Sequence, residues 1–332
     1  MQSSEVSSTI VAPAPPLHIV TPLLKSRKLS SKMGASVWLK LESVQTSGSF
    51  KSRGLGRLCQ KSVAEGCTNF VSSSGGNAGL AAVFCAQELG MPITVVVPEP
   101  TPPFIVAKLK DEGATVEVVG KAWDDANERA KVIASSPGSV LIHPFDHPEI
   151  WTGHSTIVDE IQAQLMGVVP DLLVVAVGGG GLMNGVLEGL HRIGWGEIPV
   201  VAMETKGAGS LNACAVSGEW KQLDAITSVA KCLGAKRVSK RSFEWLSQHK
   251  ILSRVVTDKQ ALSACVRIAD DHRILVPPAC GAAMAAVYED VISEAQKSGE
   301  LPDRLENIVA IVCGGNGVNL DSIYKWREEC EL

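Results

Sequence analysis

Short apolar runs alternate along the chain with longer stretches of helical periodicity. The runs are "VWLKLE" (37–42), "NFVSS" (69–73), "ITVVVP" (93–98), "TVEVVG" (115–120), "LLVVAV" (172–177), "PVVAME" (199–204) and "IVAIVC" (308–313). Their near-continuous apolarity predicts strands buried on both faces, as in parallel sheets. Helical patterns follow several of them and predict helices over 78–89, 123–134, 182–190 and 279–298. This alternation is the signature of an α/β protein with largely parallel sheets. A Pro- and His-rich stretch, "LIHPFDHPEIWTGH" (141–154), marks a domain break. Residues 45–149 are expected to form a small domain. Residues 1–44 and 150–332 are expected to form a larger one, with 1–16 as a flexible tail rich in Ser, Ala and Pro.

Composition narrows the function classes. The chain has 332 residues, a length that suits two domains. It is 45% apolar and 20% charged, with net charge −4 and pI near 6.0. That balance gives no global electrostatic case for binding nucleic acid or an anionic membrane. No apolar run reaches the length of a membrane span. The N-terminal "MQSSEVSSTIVAPAPP" has no basic start, no long apolar run and no Arg, so it reads as neither a secretory signal nor a transit peptide. Nine scattered cysteines with no C-x-x-C pair read as reduced, buried thiols, and hence as a cytoplasmic protein.

The candidate chemistry lies where strands run into glycine. This happens three times, at "SSSGGNAG" (72–79), "VGGGGLMNG" (177–185) and "CGGNG" (313–317). In parallel sheets, ligands bind at the carboxyl ends of strands. Glycines there let backbone N–H groups turn toward a ligand, and a following helix adds the positive end of its dipole. Gly178–Gly181, between a strand and a helix, is the strongest phosphate cradle. It is not a dinucleotide fingerprint, because G-x-G-x-x-G started at Gly178 or Gly179 ends on Met183 or Asn184. A Walker loop fails as well: "GATVEVVGKA" (113–122) has the wrong spacing and no Ser or Thr after Lys121. His143, His147 and His154 look like a metal site. However, Pro144 and Pro148 exclude the helix that would align the first two, so hydrogen-bonded histidines in a structured turn are expected instead.

One lysine stands out, Lys51 in "SGSFKSRG" (47–54). A nucleophilic lysine needs its pKa lowered by desolvation or by positive neighbours. Phe50 offers an apolar wall, and Arg53 is expected to add a nearby charge. A working lysine with a phosphate cradle suggests pyridoxal 5′-phosphate (PLP) held as a Schiff base.

These segments together, with "FDHPEIWTGH", "AMETKGA", "ITSVAKCLGAK" and "PACGAA", resemble the fold type II PLP enzymes, specifically the serine/threonine dehydratases of the animal type. The resemblance runs from about His18 to the end of the chain. It implies the tryptophan synthase β-like fold, with the cofactor in the cleft between two domains. It implies that Lys51 carries PLP and then takes the substrate's Cα proton, with Phe50 against the pyridine ring. Asn77 would bond the cofactor's 3′ oxygen. Ser74, Gly75, Gly76, Asn77 and Ala78 would bind the substrate, the loop's amides taking its carboxylate. Gly178, Gly179, Gly180, Gly181 and Leu182 would wrap the phosphate. Cys313 would face the pyridine nitrogen as a weak, neutral partner, which suits β-elimination. A potassium ion would sit on Glu204 and the carbonyls of Gly178, Ala208, Leu233 and Ala235, a hard-oxygen set. A salt bridge is the other reading of Glu204.

The resemblance further implies an L-serine/L-threonine ammonia-lyase acting on a small amino-acid substrate, as a homodimer. A racemase, a β-replacement enzyme and a weakly active PLP-binding regulatory protein remain alternatives. Three residues depart from the family pattern. Ser52 replaces a branched apolar residue and is expected to loosen packing. Pro277 stands where Glu is common. Gly75 stands at a position that is Ala in some members.

Overall fold

Among the described residues, ten strands form two sheets, and the seven apolar runs are seven of them. The computed structural model describes residues 14–331, so residues 1–13 of the expected tail lie outside it. The strands are β1 (Leu23–Ser26), β2 (Ser36–Leu41), β3 (Asn69–Ser72), β4 (Ile93–Val97), β5 (Thr115–Val118), β6 (Ser139–Leu141), β7 (Leu172–Ala176), β8 (Val200–Thr205), β9 (Ile251–Val256) and β10 (Asn307–Val312). One sheet runs β1-β2-β10-β7-β8-β9, and the other runs β5-β4-β3-β6. All pairings are parallel except β1 with β2. The central strands β7 and β8 are buried at every residue, as their apolar sequences predict.

Three strands do not appear among the sequence runs. β1 and β9 are partly exposed edge strands with mixed polarity, and β6 has three residues. None makes a continuous apolar run.

Three of the four expected helices form within two residues of their expected bounds, as Asn77–Glu88, Trp123–Ala134 and Gly181–Arg192. The fourth, expected over 279–298, is two helices, Pro278–Tyr288 and Val291–Lys297. Glu289 turns extended between them. The side chains of Arg267 and Lys32 both bond the carbonyl of Tyr288, ending the first helix.

The topology sets the cleft. The loops after β3, β7 and β10 all leave the carboxyl ends of parallel strands. The helix Lys51–Ala64 packs on the helix Pro148–Gln164 with almost no separation. A Cβ at Gly54 would lie 2.5 Å from the carbonyl oxygen of Ile150, and one at Gly153 would lie 2.4 Å from that of Arg53. Only glycine permits this approach at either position, and it fixes where the lysine's helix begins.

Candidate functional site

Lys51 is the first residue of its helix, and Phe50 precedes it as the cap. The segment before it is zipped to the loop after β10. Phe50 N donates to the Cys313 carbonyl at 3.1 Å, Gly315 N donates to the Gly48 carbonyl at 2.9 Å, and Asn316 Nδ2 donates to the Ser47 carbonyl at 2.7 Å. The lysine therefore starts from the same point at which β10 delivers Cys313.

The Lys51 amine donates to the carbonyl of Pro144 and lies 5.2 Å from the Phe50 ring centroid. Burial lowers its pKa from 10.5 to about 8, while the thiols of Cys232 and Cys313 pull weakly the other way. Arg53 does not contribute, contrary to the expectation. Two residues along a helix is about 200° of rotation, so its side chain faces away from Lys51. There it bonds Glu42 at 2.7 and 2.8 Å and Glu160 at 2.6 and 2.8 Å.

The Pro144 segment bridges to the glycine loop. A Cβ at Gly179 would lie 2.4 Å from the Phe145 ring, and one at Gly181 would lie 2.8 Å from the Phe145 carbonyl. His143 shapes this turn by accepting from Phe145 N at 3.3 Å and Asp146 N at 2.8 Å. Burial and the Lys51 charge push its pKa down to about 4, so it stays a neutral acceptor. His147 accepts from Glu149 N at 3.1 Å and caps the next helix. These two are the structured-turn histidines expected from the prolines. His154 differs. It is fully buried against Phe50, with ring centroids 4.8 Å apart, and neither ring nitrogen has a partner. Burial holds it neutral.

Gly180 adopts φ +91°, and the helix starts at Gly181. The first-turn amides Gly181–Met183 have no acceptor inside the helix. Asn77 likewise opens the helix after the Ser74–Gly76 loop. Its Nδ2 lies 3.7 Å from the Cys232 sulfur, and Cys232 sits beside Gly178, whose Cβ would be 3.2 Å from the Cys232 carbonyl. Lys51, Asn77, Gly178 and Cys313 thus share one cleft. A methyl at Gly75 would meet Val97 at 3.1 Å, a tight but not forbidden fit.

Cys313 is buried beside Cys280, and that thiol together with burial holds Cys313 protonated. Ser52 does not loosen its surroundings as expected. It is fully buried, with its hydroxyl 3.4 Å from the Ser49 carbonyl and 3.5 Å from Gln45 Oε1. Pro277 is buried as the cap of the helix Pro278–Tyr288.

Glu204 is not in a salt bridge. It is buried and accepts from Leu211 N at 2.8 Å and Asn212 N at 2.7 Å. Burial pushes its carboxyl up to about 8 against those bonds. The Gly178 carbonyl accepts from Ser210 Oγ at 3.4 Å, and Leu233 Cα would lie 3.1 Å from a Cβ at Gly178. Ala235 N donates to the Leu233 carbonyl at 2.8 Å, and Ala208 is buried just after β8.

The donor set fits PLP. A desolvated amine with a carbonyl partner, an apolar ring beside it, a neutral thiol and a glycine cradle a side chain would fill are the groups this cofactor needs. Pro144, Phe145 and Cys232 are not singled out as site residues by the sequence; they lie in the segments "LIHPFDHPEIWTGH" and "ITSVAKCLGAK", and reach the cleft from loops distant from Lys51 in the chain.

Residues 15–314 match the family described as pyridoxal-phosphate dependent enzyme. The chain belongs to that family. Among curated members it is 48% identical to the serine dehydratase-like protein of Rattus norvegicus, over 95% of this chain and 96% of that one. It is also 48% identical to the L-serine dehydratase/L-threonine deaminase of Homo sapiens, with 95% and 96% coverage. A solved structure of a fungal L-serine ammonia-lyase from Rhizomucor miehei superposes with a TM-score of 0.88 at 33% identity, over 94% of this chain and 99% of that one. All nine cysteines are free, and eight are buried as expected while Cys232 is exposed.

Proposed function

We propose that this protein is a PLP-dependent L-serine/L-threonine ammonia-lyase, releasing pyruvate or 2-oxobutyrate with ammonia. The observation that carries the reading is the convergence of the Lys51 amine, the Asn77 helix start, the Gly178–Gly181 loop and the neutral Cys313 thiol. Bound PLP supplies an electron sink for cleavage at the substrate's Cα.

The chain's own residues do the rest. Lys51 would hold the cofactor, and its amine, lowered by burial to about 8, gives up its proton more readily than an ordinary lysine and so can serve as the base for the Cα proton. Phe50, itself backed by His154, would lie against the pyridine ring. The amides from Ser74 to Ala78, with the Ser74 hydroxyl, bind the substrate carboxylate. Asn77 orients the cofactor's 3′ oxygen. Gly178–Leu182 hold the phosphate. Cys313, a neutral thiol, would offer the ring nitrogen a weak hydrogen bond without protonating it, which would favour loss of the hydroxyl over transamination.

The finer calls belong to the same reading. A monovalent cation, potassium by its hard-oxygen set, would be held by Glu204 with the carbonyls of Gly178, Ala208, Leu233 and Ala235. The buried Glu204 carboxylate with no cationic partner supports it. The domains divide near residues 45 and 149, the protein is a homodimer, and it works in the cytoplasm, where its nine free thiols would stay reduced.

The test is an absorbance spectrum of the purified protein before and after L-serine, with pyruvate assayed. A visible cofactor band and pyruvate support the lyase. A band without pyruvate, with D-serine appearing, would make it a racemase. No band after cofactor addition would refute the reading.

A further inference from the structure

Three buried polar side chains behind the glycine loop form a closed ring. Asn184 Nδ2 lies 2.9 Å from Ser239 Oγ, the Ser239 and Ser242 hydroxyls are 2.8 Å apart, and Ser242 Oγ lies 2.8 Å from Asn184 Oδ1. All three residues are buried. The proton directions follow from counting. Ser239 Oγ already accepts from Asn184 Nδ2 and from Ser242 N at 3.2 Å, so its own proton goes to Ser242. The Ser242 proton then goes to Asn184 Oδ1, and the ring closes with one orientation.

The main-chain amides of two of these residues also hold the loop's backbone. Ser239 N donates to the Gly179 carbonyl at 3.0 Å, and Asn184 N donates to the Gly180 carbonyl at 2.8 Å. In a trans peptide the C=O and the following N–H point in opposite directions. Holding the Gly179 and Gly180 carbonyls on this side therefore aims the Gly180 and Gly181 amides the other way. Ser242 presses closest: a Cβ on Gly180 would lie 1.8 Å from its hydroxyl.

Stability alone does not call for such a ring, because apolar groups of the same shape fill a buried space about as well. A fully satisfied polar network instead selects a single arrangement. We infer that Asn184, Ser239 and Ser242 are positioning residues that orient the Gly180 and Gly181 amides for the phosphate of PLP. They act through the loop and do not themselves touch the ligand. The inference rests on the phosphate role proposed above for that loop.

The experiment compares binding of PLP and of pyridoxal, which lacks the phosphate, to full-length protein stripped of cofactor. The parent should bind PLP far more tightly. Ser242→Ala opens the ring. It should lose about tenfold in PLP affinity, the equivalent of one net hydrogen bond, and leave pyridoxal affinity unchanged. Ser242→Cys, close in shape but a weak donor, should move the same way and serves if the alanine variant fails to fold; thermal melting of the cofactor-free proteins checks this. Equal losses for both ligands, or none, in variants of a parent that discriminates would overturn the inference alone. A parent that does not discriminate would overturn the phosphate role and the inference together.

Discussion

Phe50 N donates to the carbonyl of Cys313 at 3.1 Å, so the lysine's cap hangs from the residue that follows β10. Lys51 and Cys313 are 262 positions apart in the chain, yet this bond, with those from Gly315 N to the Gly48 carbonyl and from Asn316 Nδ2 to the Ser47 carbonyl, ties their segments together. Lys51→Ala removes the covalent anchor and the base but leaves these bonds, none of which uses the lysine side chain. Pyruvate formation from L-serine should fall by at least about 10³-fold, the scale of a lost general base. The visible cofactor band should disappear. Retained turnover would sink the assignment of Lys51.

Arg53→Met should unfold the protein more easily without touching the cleft chemistry directly. Arg53 is fully buried between Glu42 and Glu160, and Lys40 sits on the far side of Glu160 at 2.5 Å. Removing the arginine strands a buried carboxylate, a change that costs roughly 3–5 kcal/mol. Urea unfolding should show a lower midpoint at unchanged slope. A loss under about 1 kcal/mol would mean that water reaches the pair.

How far the sequence could be read depended on burial and on residue type. Strands buried on both faces were legible because each is a continuous apolar run, as in "LLVVA" of β7. Edge strand β9, "ILSRVV", was not, since its exposed positions admit Ser and Arg. The break at Glu289 was invisible because the capping side chains, Lys32 and Arg267, come from elsewhere in the chain. In the cleft, glycines announced themselves because no other residue accepts φ +91° or the approach at Gly179. The Pro144 carbonyl and the Ser239 amide could not, because backbone groups leave no trace in residue identity. Arg53 is near Lys51 in sequence but not in its side-chain direction, because the helix that starts at Lys51 turns it toward Glu42 and Glu160.

Potassium should stabilise the cofactor-bound protein relative to an equal concentration of tetramethylammonium. The buried Glu204 carboxyl takes two backbone amides and no cationic side chain, and burial pushes it up to about 8, so a bound cation would take the place of its proton and hold the charged form. With the ion well above its dissociation constant, melting should rise by about 2–4 °C, and turnover should rise with it. Glu204→Gln should remove both responses. Equal melting in the two salts would argue against a cation at this carboxylate.

The cofactor-free protein should carry a pH-dependent strain at Lys51. Burial depresses its pKa from 10.5 to about 8, so the folded state binds its proton less well than the unfolded chain does. Below about pH 8 both states are protonated, and the fold bears the whole cost of a poorly solvated charge. Between about 8 and 10.5 the folded lysine is neutral while the unfolded one is still charged, so this cost falls as pH rises. Above 10.5 it is gone. The full difference is up to about 3 kcal/mol. Lys51→Met keeps the length and apolar stem without the charge. It should therefore be more stable than the cofactor-free parent at pH 7, and the margin should shrink steadily through pH 10. Urea unfolding of both proteins across that range measures the margin. A margin that does not change with pH would show that the Lys51 amine is not desolvated, and its ease of proton transfer near neutral pH would need another source.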